Sequence, residues 1–205
     1  ALDANTTGEE HVAIGYQALT KNTTASNNVA VGRMALRDNT TGTPNTAIGH
    51  QAMISNTTGG SNVAVGKGAL DANTTASNNT AVGDDALGAN TTGTRNVAIG
   101  VLSLTSNTTA NDNVAIGGGT SGVSFAALQS NTTGTFNTAI GNGALGANTT
   151  ASSNTAVGYS ALLDNTTGTG LTALGKDALK ANTTASFNTA IGTDCLTANT
   201  TGQRN

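Results

Sequence analysis

Apolar residues along this chain recur in one fixed pattern. An Ala-[Ile/Val/Leu]-Gly step is followed, in most copies, by two variable positions, an Ala-Leu pair and then a polar stretch containing Asn-Thr-Thr. Successive step glycines lie 17 residues apart, except for one interval that is seven residues longer. They are Gly15, Gly32, Gly49, Gly66, Gly83, Gly100, Gly117, Gly141, Gly158, Gly175 and Gly192.

The repeat length favours a β-solenoid. Common helical-hairpin repeats run from about 33 residues, and the Gly, Asn and Thr of each copy disfavour helix. In a β-solenoid each repeat is one coil, and equivalent residues stack about 4.8 Å apart. We therefore predict an all-β fold, a single parallel β-solenoid over residues 1–205 with twelve repeats and an inserted loop at 118–126. Such a rod would be roughly 55–60 Å long, and we expect it to be a segment of a longer fibrous chain.

Charged residues identify the exposed parts of each coil, because they are rarely buried unpaired. All of them fall in three two-residue windows: after the step glycine, after Ala-Leu, and after Thr-Thr-[Gly/Ala]. The aromatic residues share these exposed positions. We expect them to be partner or subunit contacts: Tyr16 and Tyr159 after the glycine, Phe136 and Phe187 before the strand, and Phe125 in the insertion.

The Ala-[Ile/Val]-Gly step predicts the strand of each coil. Side chains alternate along a strand, so Val12 and Ile14 share one face and Ala13 lies on the other. We expect the columns of Ile14 and Val31 and of Leu19 and Leu36 to form the core. We also expect the uniform alanine face to pack against a neighbouring chain. The uniform glycines, such as Gly15 and Gly32, indicate a positive φ or a close backbone approach.

Two asparagine columns predict amide ladders. No charge enters the Asn-Thr-Thr columns, and in-register asparagines can stack along a rod with each side chain bonded to its neighbours. In that arrangement the Asn-x-Thr glycosylation pattern is incidental, because stacked asparagines cannot carry sugars. The ladder residues are Asn22, Asn39, Asn56 and Asn73 in Asn-Thr-Thr, and Asn28, Asn45 and Asn62 before the strand.

Composition argues against most other kinds of function. The net charge of −3 provides no basic surface for nucleic acid, and no apolar run reaches the length of about 18 residues needed to span a membrane. His11 and His50 occupy different positions of the repeat, and Cys195 replaces a small apolar residue, so we interpret it as a packed side chain rather than a nucleophile. We predict no enzyme activity, cofactor or metal site.

The strands "HVAIG" (11–15), "NVAVG" (28–32) and "NTAIG" (45–49) resemble the head-domain repeats of trimeric autotransporter adhesins, although the period here is longer. The run "NTTG…NTAIG…AL" is also similar to repeats of bacterial and phage tail-fibre-like proteins. The resemblance implies a left-handed parallel β-roll that associates as a trimer. It also implies an extracellular or cell-surface location.

Three functional hypotheses follow from these observations. The first is a structural and adhesive extracellular rod, a stiff spacer whose copies form a trimer and whose surface ligand the sequence does not specify. The second is a filament subunit that stacks end to end, because an uncapped solenoid exposes strand edges. The third is ice binding through regular threonine columns.

Overall fold

The computed structural model describes residues 1–122 and 124–205, and it confirms the parallel β-solenoid prediction. Each complete coil contributes one short strand to a single eleven-stranded sheet in which sequential strands are neighbours. All pairings are parallel and in register, for example Ala13 with Ala30. The strands are β1 Val12–Ile14, β2 Asn28–Val31, β3 Asn45–Ile48, β4 Asn62–Val65, β5 Thr80–Val82, β6 Val97–Ile99, β7 Val114–Ile116, β8 Thr138–Ile140, β9 Thr155–Val157, β10 Thr172–Leu174 and β11 Thr189–Ile191.

Hydrogen bonds between coils continue through the turns that complete each coil. The Ala-Leu segment donates from Leu19 N to Ala35 O at 3.1 Å, and the Asn-Thr-Thr segment donates from Thr40 N to Thr57 O at 2.9 Å. The sheet is thus one wall of a coil whose other walls are also bonded to the next coil. Because buried backbone groups must be paired, this arrangement satisfies the turns without additional strands.

Both asparagine columns are buried and form the predicted ladders. Asn39 Nδ2 donates to Asn22 Oδ1 at 3.1 Å and to Gly42 O at 3.0 Å, so each amide bonds its own turn and the preceding coil. In the second column Asn45 N donates to Asn28 Oδ1 at 2.8 Å. The pattern persists through Asn56, Asn62 and Asn73, and the buried asparagines are inaccessible to a glycosyl transferase in the folded rod.

The prediction for the two faces of the strand was wrong. The alanines point inward and are fully buried, as at Ala30, whereas Ile14 and Val31 lie on the outside of the coil. The interior is narrow: Ser103 Oγ, in the Ala-Leu segment, donates to the strand carbonyl of Ala115 at 2.9 Å. A strand this close to the opposite wall has room for a methyl group only. The core therefore consists of alanines and of the buried leucine column that includes Leu19 and Leu36, and no neighbouring chain can contact the alanine face.

Each coil turns by means of residues with positive φ. Gly15 and Gly32 have φ of 128° and 136°, and a Cβ on Gly15 would collide with the backbone of Gly32, so both predicted reasons for glycine hold. Leu19 and Leu36 adopt φ of 51° and 49°, a left-handed conformation that is unfavourable for a residue with a Cβ. Their complete burial compensates for that strain, because a fully buried leucine contributes about 1.5–3 kcal/mol.

Charged side chains lie in the predicted windows, and several pair between adjacent coils. Lys21 Nζ lies 2.9 Å from Asp38 Oδ1, and Arg37 Nη2 lies 2.6 Å from Asp38 Oδ2. The hydrogen bond from Arg37 is the main reason why the pKa of Asp38 falls to about 2.

Replacing Asp38 with asparagine should lower the free energy of unfolding at pH 7 by about 1 kcal/mol, a small value because the pair is partly solvated. The folded pKa is depressed, so this stabilisation is present above the unfolded pKa of about 3.9 and is lost as the pH falls towards about 2. Urea unfolding at pH 7 and pH 2 should show the difference only at pH 7. Asp164→Asn, at the equivalent position of another coil, should have a smaller effect at pH 7 and none at pH 2.

Candidate binding surface

The outer side of the sheet presents two columns of side chains, which we call the aliphatic face. The second column, which begins at Ile14, is aliphatic in all eleven strands. Ile14 and Ile191, at its two ends, are 60% and 66% exposed. The first column, which begins at Val12, contains valine or threonine in every strand, and its last four residues are threonines. The columns are Val12, Val29, Thr46, Val63, Thr80, Val97, Val114, Thr138, Thr155, Thr172 and Thr189, and Ile14, Val31, Ile48, Val65, Val82, Ile99, Ile116, Ile140, Val157, Leu174 and Ile191.

Two polar rims border the aliphatic face. The leading rim comprises, in each coil, the two residues that precede the asparagine column before the strand, such as Glu9 and Glu10. The trailing rim comprises the two residues after each step glycine, such as Arg33. On the trailing rim Arg33 Nη1 lies 2.9 Å from His50 Nε2. On the leading rim Arg95 Nε lies 2.7 Å from Asp112 Oδ1 of the next coil. An apolar centre with a polar rim is the arrangement typical of protein interfaces.

The aromatic residues stand on the rims or on the insertion, and all are exposed as predicted. Tyr16 and Tyr159 belong to the trailing rim, and Phe136 and Phe187 to the leading rim. The ring of Phe187 covers Gly170 of the preceding coil, where a Cβ would lie 2.7 Å from Phe187 Cδ1. The four rings therefore extend the apolar area of the face at separate levels and do not form one cluster.

The described residues of the insertion, 118–122 and 124–126, leave the rod continuous. Thr120 and Ser124 form an antiparallel bridge, with Ser124 N donating to Thr120 O at 3.0 Å. The asparagine ladder also continues between the two coils that the insertion separates in sequence, since Asn131 Nδ2 donates to Asn107 Oδ1 at 3.2 Å. Phe125 packs against the next coil and lines, with Gly122, Ser124 and Gln129, an open cavity of about 330 Å³.

The remaining residues considered for chemistry have structural surroundings. His11 Nε2 lies 3.3 Å from Asn22 Nδ2, at the first rung of the ladders, and His50 pairs with Arg33 on the surface. Cys195 is half-buried in the last complete coil, where it packs against the core in place of alanine. Within residues 1–122 and 124–205, no three His, Cys, Asp or Glu side chains are grouped closely enough to hold a metal ion. Over the same residues, no helix has the length and hydropathy needed to cross a membrane.

Sequence reasoning did not identify the aliphatic face as a surface, because it placed the column of Ile14 and Val31 in the core. The signal that could have indicated it is the second column, where an Ile, Val or Leu is retained next to an alanine that never varies in the complete coils. Comparison of the chain with protein-family models, with curated proteins and with solved structures finds no match in any of the three.

Proposed function

We propose that this chain is a rod segment of an extracellular fibre or surface adhesin. Its role would be that of a stiff spacer that carries exposed side chains at fixed intervals. The observation that supports the proposal is the continuous bonding along the axis, in which the sheet, the Ala-Leu segment and the Asn-Thr-Thr segment each connect every coil to the next.

Stiffness follows from the placement of these bonds around the coil. Bending a rod lengthens one side, and every side of this rod carries hydrogen bonds between coils. The buried amide ladders add directional bonds in the interior, where an unpaired amide costs about 1–3 kcal/mol. Bending is therefore opposed on all sides, as a spacer requires.

The proposal includes self-association of the chain, for which the resemblance to adhesin heads offers a trimer as the alternative to a pair. A single copy leaves Ile14, Ile48, Ile99, Ile140, Leu174 and Ile191 at least 38% exposed. Exposed apolar areas of this extent usually mark an interaction site. A fibre built from several copies would cover them.

Removing one whole coil should shorten the rod without unfolding it. Deletion of residues 84–100 takes out 17 residues and joins Gly83 to Val101, which restores every column in phase. Small-angle X-ray scattering should show the length reduced by about 4.8 Å with an unchanged cross-section, and the melting temperature should change by only a few degrees.

Deletion of residues 84–92 is the matched control. It removes the Ala-Leu and Asn-Thr-Thr segments of one coil, leaves too few residues between Gly83 and Gly100 to complete a coil, and should abolish the single cooperative transition. A particle that is not elongated, or an in-phase deletion that unfolds like the control, would contradict the spacer role.

A further inference from the structure

We propose that a second copy of this chain covers the aliphatic face, with the two rods parallel and in register. This inference rests on the proposed fibre role and specifies its subunit contact. The face is built for such a contact, because eleven strands in register place their outer residues in two straight columns. Sheets that pack face to face use the same alternation of side chains, at a separation of about 10 Å.

The area of the face is sufficient for a stable contact. Eleven strands extend for about 48 Å along the axis, and two outward residues with their edges give a width of about 10–12 Å. One copy therefore contributes about 500–600 Å², and two copies bury about 1,000–1,200 Å² in total. Specific interfaces begin at about 1,000 Å², and the rim aromatics Tyr16, Phe136, Tyr159 and Phe187 add to this area.

No charged residue opposes the contact. Neither column contains Lys, Arg, Asp or Glu in any strand, so no ion has to be desolvated when two faces meet. The threonines of the first column, such as Thr155 and Thr172, stand beside the leading rim, where their hydroxyl groups can keep contact with water. A second copy of the chain fits these properties better than a charged partner does.

The rim charges favour parallel copies. Two parallel rods that face each other place the leading rim of one beside the trailing rim of the other at the same level. Opposite charges then lie one coil step apart, about 4.8 Å along the axis. Glu10, before β1, lies near Arg33, after β2, and Arg95, before β6, lies near Asp84, after β5.

An antiparallel pair combines repulsive with attractive rim contacts, since it also brings Glu10 within one coil step of Arg204. With full overlap, each rim then faces its own counterpart in reverse order, and β6 lies opposite itself. Arg95 would meet the Arg95 of the other copy, a like-charge contact that the parallel pair lacks, while Arg33 would lie at the level of both Lys176 and Asp177. Rim charges contribute little affinity, but they determine orientation. Arg95 also holds Asp112 at 2.7 Å within its own chain, which fixes its position on the rim.

Light scattering after size exclusion tests whether the face is the contact. The unmodified chain should elute as a discrete dimer, whereas Ile99→Glu should raise the dissociation constant by about 100-fold or more, because a charge would be buried unpaired. Ser106→Glu adds the same charge in the window after Ala-Leu and should leave the oligomer intact. Both variants should keep the far-ultraviolet circular dichroism of the unmodified chain. A monomer at all concentrations, or equal effects of the two variants, would overturn the proposal.

Cysteine cross-linking between separately prepared proteins tests the orientation. In a Cys195→Ala background, Glu10→Cys mixed with Arg33→Cys should form a disulfide-linked heterodimer on mild oxidation. Glu10→Cys mixed with Arg204→Cys should not, because those positions approach each other only in an antiparallel pair. The reverse result would overturn the parallel arrangement.

The two proposals fail in different ways. If the chain is monomeric but remains a rod that shortens on the in-phase deletion, the interface is wrong and the spacer role stands. If scattering shows no elongated particle, the spacer role is wrong whatever the oligomeric state.

Discussion

Replacing Gly83 with alanine should lower the free energy of unfolding by about 3 kcal/mol or more. Gly83 has φ of 141°, a backbone region that is essentially restricted to glycine. A Cβ at this position would also lie 2.5 Å from Gly100 O and 2.6 Å from Gly100 C. Both atoms belong to the backbone of the next coil, so the strain cannot be relieved by a rotamer change.

Gly88→Ala provides the control within the same coil. Its Cβ would lie 3.3 Å from Asp85 O and 3.6 Å from Asp71 Oδ1, distances that small movements accommodate. We expect a change within about 0.5 kcal/mol, because the equivalent position of other coils accommodates larger side chains, such as Arg37 and Asp71. Urea unfolding followed by circular dichroism measures both variants, and equal stabilities would show that the glycine column is not needed for stacking.

Replacing Asn90 with aspartate should be almost as damaging, and its effect should depend on pH. Asn90 Nδ2 donates to Asn73 Oδ1 at 3.1 Å and to Gly93 O at 2.9 Å. A carboxylate would place an oxygen against both of these acceptors, inside the rod. A buried charge without a partner costs about 3–5 kcal/mol, and we expect a loss of that size at pH 7.

Acid should restore part of the stability of this variant. Burial and the facing acceptors favour the protonated form, so the pKa of the introduced carboxyl is raised in the folded state. The folded state then binds more protons than the unfolded state, and stability increases as the pH falls. Unfolding at pH 4 and pH 7 should therefore show Asn90→Asp recovering at pH 4.

An asparagine on the leading rim, Asn78, supplies the control for the ladder. Asn78 is exposed and has φ of 62°, a conformation that asparagine and aspartate both tolerate. Asn78→Asp adds the same charge outside the rod and should change stability by less than about 0.5 kcal/mol at either pH. If Asn90→Asp behaves like Asn78→Asp, the ladder does not stabilise the rod.

Much of this architecture was accessible from the spacing of residues. The step glycines, the two asparagine columns and the confinement of charge to three windows are linear patterns, and each has one simple explanation in a stacked coil. Gly32 illustrates this, because a residue that never varies at the end of a strand has few uses other than a turn or a close approach. Cys195 illustrates it as well, since its place in the small apolar column predicted its packing.

The candidate surface was less accessible. The alternation of Val12, Ala13 and Ile14 shows that the first and third side chains share a face, but alternation does not tell which face is inside. Hydrophobicity favours burying the larger residues, and on that basis Ile14 belonged to the core. The structure instead places the alanines inside and the larger residues outside, and these outward residues form the aliphatic face.

Composition and spacing were therefore enough for the coil, its length, its ladders and its exposed windows, because a repeat of constant length constrains every copy to the same stacking. Which side of the strand faces inward depended on the width of the closed coil. That width is set by how near the Ala-Leu segment approaches the strand, as between Ser103 and Ala115. Such a distance between segments that are separate in the chain is a property of the folded coil, and it left space inside for a methyl group but not for an isoleucine.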